Sequence, residues 1–70
     1  MDRRTVLRLL AAAERKALEA TALVAAQRRK LAELRPDTEE YAVASEQLEQ
    51  LVLSHRILLE ERDRLKRAMH

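Results

Sequence analysis

With 70 residues, the chain makes one small domain at most, and a single core at this length is marginal without disulfides, metal or self-association. There is no Cys and no Gly, with one Pro and one aromatic residue, Tyr41, so a disulfide framework is excluded and the backbone has almost no licence for tight turns. At 47% hydrophobic and 37% charged the composition is that of long helices rather than disorder. A net charge of +2 is too small by itself to imply nucleic-acid binding.

The N-terminal stretch DRRTVLRLLAAA sets Arg3 and Arg4 before an apolar run, and so resembles a twin-arginine export signal. Its longest uninterrupted apolar run, Leu9 to Ala13, stops at Glu14, Arg15 and Lys16. That is shorter than the apolar core a signal peptide needs. No segment approaches the ~20 apolar residues of a membrane span. The expected compartment is the cytoplasm, with no membrane partner.

The only strong punctuation is LRPDTEEYA. Pro36 cannot continue a preceding helix and pushes Arg35 out of the helical region. Asp37 is the expected N-cap of a second helix, with Glu40 completing a capping box and Pro36 and Tyr41 at the positions of a hydrophobic staple. Helix 1 is therefore predicted over about residues 3–34, a turn over 35–37 and helix 2 over about 38–68, the whole chain forming one helical hairpin. So short a connection makes the helices antiparallel, each roughly 45–50 Å long at ~1.5 Å per residue. Charge agrees: residues 1–35 hold nine Lys/Arg and four Asp/Glu, a net +5, while residues 36–70 hold five and eight, a net −3. A basic and an acidic helix attract.

Each helix carries one apolar stripe at alternating steps of three and four, the mark of coiled-coil packing. In helix 1 it runs Val6, Leu10, Ala13, Ala17, Ala20, Val24, Gln27, Leu31, Leu34; in helix 2, Tyr41, Ala44, Leu48, Leu51, His55, Leu58, Arg62, Leu65, Met69. Folding the chain at the turn opposes Gln27 with Ala44, Ala20 with Leu51, Ala17 with His55, Ala13 with Leu58 and Leu10 with Arg62. Large residues of helix 2 meet small ones of helix 1, which fills a core without strain. His55 is thus expected to fill space in the seam, its ring edge toward solvent or Thr21. Arg62 is expected to lay its stem over Leu10 and send its guanidinium outward. His55 and His70, the only histidines, do not make a metal site, and no cofactor is implied.

The seam leaves apolar residues over. On one flank lie Leu7, Ala11, Leu18, Ala25 and Ala32 of helix 1 with Val52 and Leu59 of helix 2; on the other lie Leu9, Leu23, Val43 and Ile57, while Leu53 points away. Apolar surface of that extent marks an association face. The economical solution is a four-helix bundle made from two hairpins. That architecture is similar to Rop-type helical-hairpin dimers, a resemblance of architecture without a shared motif. The first flank also carries Glu14, Thr21 and Arg28. An antiparallel crossing of two copies of helix 1 about Thr21 sets Glu14 on Arg28, Leu18 on Ala25 and Ala11 on Ala32, so these residues form the expected dimer interface.

No nucleophile with an adjacent base, phosphate loop or metal-ligand spacing is legible. Arg28, Arg62 and Glu14 resemble the arginine and carboxylate sites of helical dimers such as chorismate mutases, and no motif supports such a role. The expected function is non-enzymatic: a homodimeric protein-interaction module acting as adaptor, small chaperone or regulator. The alternative is nucleic-acid binding at the open end, where residues 1–16 and 56–70 hold ten Lys/Arg against five Asp/Glu. Arg3, Arg4, Arg8, Arg64 and Arg67 would make the phosphate contacts, without an aromatic residue for base stacking.

Overall fold

The structure, a computed structural model, describes residues 2–69. Two α-helices, α1 (Arg3–Glu33) and α2 (Glu39–Ala68), pack against each other as a hairpin. The Cα envelope is 52 × 14 × 13 Å, the length of one helix of this size and the cross-section of two.

Both predicted stripes form the seam. Val6, Ala13, Ala17, Ala20 and Val24 of α1 are buried together with Ala44 of α2, and every other member of the two stripes is half-buried. The full burial of Ala17 and Ala20 follows from their size: they sit beneath longer side chains from α2, whose own outer edges stay open to water.

The turn differs from its expected form by a shift of cap and by length. The connection spans residues 34–38 rather than three residues. Leu34 leaves the helix in an extended conformation (φ −93°, ψ 152°), and its amide donates to the Leu31 carbonyl. The Thr38 amide then donates to the Arg35 carbonyl at 3.2 Å, closing a β-turn with Pro36 at its second position, where a fixed φ is favoured. No described residue has a positive φ, so a turn of this kind forms without glycine.

The N-cap of α2 is Thr38, not Asp37. Thr38 Oγ1 accepts from the Tyr41 amide at 3.2 Å and donates to the Arg35 carbonyl at 2.8 Å. One hydroxyl thus satisfies an orphan helix donor and ties the turn to the helix. Asp37 lies within the β-turn, and its carboxylate stands 3.8 Å from Arg35 Nε in an exposed pair. The shift leaves Glu39 and Glu40 in the first turn, where negative charge complements the helix dipole. It also removes the capping box and moves Pro36 and Tyr41 off the staple positions; both instead border a groove with Leu31 and Leu34. At the far end, Lys66 and Arg67 occupy the last turn of α2, again matching the dipole.

Candidate functional site

The chemistry-bearing side chains of the seam are His55, Arg62 and Gln27. His55 is half-buried, and its Nε2 lies 2.8 Å from Thr21 Oγ1, which in turn donates to the Ala17 carbonyl at 2.9 Å. Thr21 has a single proton, so with that proton on the Ala17 carbonyl it is His55 Nε2–H that donates to Thr21. A hydroxyl beside an imidazole is the first half of a nucleophilic pair. In that arrangement the proton runs the wrong way, and among the described residues nothing hydrogen-bonds the other ring nitrogen. The ring spans the seam and closes it toward Thr21, one of the two directions its place in the stripe allows.

Arg62 is also half-buried, with both its Nε and one terminal nitrogen donating to Asp63 Oδ1 at 3.2 and 3.1 Å. The neighbouring carboxylate holds the guanidinium at the rim, a partner the stripe does not reveal. Gln27 crosses the seam: its amide nitrogen donates to the Ala44 carbonyl at 3.0 Å and to Gln47 Oε1 at 3.2 Å. Gln27 and Ala44 were the expected opposite pair, but the bridging role of the amide was not legible.

The residues of the expected interface lie along one side of the hairpin. Leu7, Ala11, Glu14, Leu18, Thr21, Arg28 and Ala32 are exposed, while Ala25, Val52 and Leu59 are half-buried. Leu18 is 71% exposed, the most open of the large apolar side chains. Glu14, Leu18, Thr21 and Leu59 border one groove together with Arg62 and Lys66. Arg28 and Ala32 border a second groove nearer the turn. On the opposite side Leu9, Leu23, Val43 and Ile57 are exposed, as is Leu53 on the back of α2.

At the open end Arg3, Arg4, Arg8, Arg64 and Arg67 are all exposed. Helical spacing turns them to different sides of the hairpin, so they ring its end rather than share one face. His70 lies outside the described residues. Among the described residues no cluster of three or more His, Cys, Asp or Glu is placed to hold a metal ion, and no helix is long and apolar enough to cross a membrane. Comparison with protein-family models, with curated proteins and with solved structures finds no match.

Proposed function

We propose that this chain is a non-enzymatic interaction module: a cytoplasmic helical hairpin that pairs with a second copy as a four-helix bundle and docks a protein partner, as an adaptor, small chaperone or regulator. The supporting observation is surface. The hairpin exposes 5689 Å², whereas a folded monomer of its 8.1 kDa exposes roughly 4500 Å² by the usual scaling with mass. The excess, about 1200 Å², is larger than the ~800 Å² that each partner of a standard interface removes from water. It is rich in apolar side chains: Leu7 and Leu18 on one side of the seam, and Leu9, Leu23, Val43 and Ile57 on the other. Two apolar sides give one face for a second copy and one for a partner protein.

Thermal melting over a hundredfold range of concentration tests the self-association. A folded dimer melts at higher temperature as concentration rises; a midpoint independent of concentration counts against pairing. A pull-down with the tagged chain then looks for a stoichiometric protein partner.

The five exposed arginines at the open end favour a second reading, nucleic-acid binding. In that case nucleic acid co-purifies, visible in the ratio of absorbance at two wavelengths, and dissociates steeply with salt. A clean protein spectrum at low salt removes this reading.

A further inference from the structure

The reading of self-association leaves open which face the second copy takes and how it lies; both can be argued from charge. Glu14, Arg28 and Glu49 have no opposite charge three or four residues away on their own helix, so they lack the usual intrahelical partners. Neither they nor Arg56 form an ion pair among the described residues, where Arg35–Asp37 and Arg62–Asp63 are the pairs seen. All four side chains belong to the side of the hairpin that carries Thr21 and Val52. On the opposite side Lys16, Lys30 and Glu61 each have an opposite charge three residues away, Glu19, Glu33 and Arg64; across the seam Lys30 shares a groove with Glu40, as Glu14 does with Arg62 and Lys66.

The charges of this side are arranged symmetrically, Arg56 alone among them having an opposite charge, Glu60, four residues on. Glu14 and Arg28 lie seven residues to either side of Thr21; Leu18 lies three before it and Ala25 four after. On α2, Ser45 and Leu59 lie seven residues to either side of Val52; Glu49 lies three before it and Arg56 four after. The same spacing thus recurs around a centre on each helix. The Gln27–Ala44 and Thr21–His55 bonds bracket the register of the seam, which sets Thr21 and Val52 near one level of the hairpin.

We infer that a second copy of this chain seats on this face about a twofold axis passing beside Thr21 and Val52. In that arrangement α1 runs antiparallel to α1 and α2 antiparallel to α2, with the turns at opposite ends. Each protomer's Glu14 meets Arg28 of the second copy, and each Glu49 meets Arg56 of the second copy. Leu18 covers Ala25, and Leu59 covers Ser45. One isologous axis satisfies both helices. A side 52 Å long and 14 Å wide offers a footprint of about 700 Å², close to the ~800 Å² per partner of a standard interface.

The chain has no cysteine, so single cysteines report the axis directly. A residue on a twofold meets its own copy, and Thr21→Cys and Val52→Cys should each give a covalent dimer on oxidation. Leu23→Cys, on the opposite side, should stay uncrosslinked. A wild-type chain that sediments as a monomer removes the self-association reading itself. A wild-type dimer in which Leu23→Cys crosslinks instead leaves that reading standing and overturns this axis. Crosslinking at residue 21 without residue 52 overturns the shared axis. Should Val52→Cys fold poorly, Glu49→Arg tests the α2 half: it should raise the dissociation constant at least tenfold, and adding Arg56→Glu should restore it. An unchanged constant for Glu49→Arg overturns the α2 pairing.

Discussion

The two helices of the hairpin are alike in length and in stripe, but not in burial. α1 contributes five buried side chains, Val6, Ala13, Ala17, Ala20 and Val24, and α2 contributes one, Ala44. The reason is size. α1 presents a row of small residues, and the leucines of α2 at 48, 51, 58 and 65 reach across it. Each leucine covers what lies beneath and keeps its own outer edge half-open. A single pair of helices hides small side chains completely and large ones only in part; deeper burial needs another layer. The contrast between α1 and α2 is therefore that of a two-helix layer in which small residues face large ones. A second copy on the Thr21 face is the further layer we propose.

The sharpest way to break this contrast is to remove the proposed layer. Glu14→Arg alone, or Arg28→Glu alone, should strand a charge at both symmetry-related contacts of the dimer, at a combined cost of about 3 kcal/mol or more, which raises the dissociation constant by at least on the order of a hundredfold. The double swap should restore pairing, and light scattering on the three variants reads all of it. Next in size is the small row of α1. Ala17→Leu should overpack against the α2 side chains and destabilise the hairpin by ~1–3 kcal/mol, seen as a lower melting midpoint. Its exposed neighbour Leu18 is the control: Leu18→Ala should change the monomeric hairpin, studied at dilution, by less than about 0.5 kcal/mol while weakening self-association. Smallest is the start of α2. Thr38→Ala should cost about 1 kcal/mol for the lost cap, and Asp37→Ala less than about 0.5 kcal/mol. Denaturant titration of the pair checks that the hydroxyl, rather than the carboxylate, holds the turn.

The two-helix seam was legible because it depends on spacing alone. Steps of three and four persist through both helices, and every residue they select is buried or half-buried. The same periodicity marked the flanks, which are mostly exposed, with Ala25, Val52 and Leu59 half-buried beside the seam. The cap was misplaced because Asp37 and Thr38 are adjacent and both suit an N-cap. The choice falls to the β-turn through Pro36, which brings the Arg35 carbonyl to both the amide and the hydroxyl of Thr38, and such geometry leaves no periodic trace. Gln27 and Arg62 were placed in the seam, but their partners Gln47 and Asp63 lie off the stripe and depend on side-chain rotamers. For His55, Thr21 was one of the two directions the stripe allowed, and the 2.8 Å contact selects it.

Sedimentation equilibrium of the unmodified chain at micromolar concentration bears on all of this most directly. Pairing through the Thr21 face predicts a mass of twice the single chain, falling toward one chain on dilution or in Glu14→Arg. A single-chain mass at every concentration, with the helical hairpin intact by circular dichroism, would contradict it.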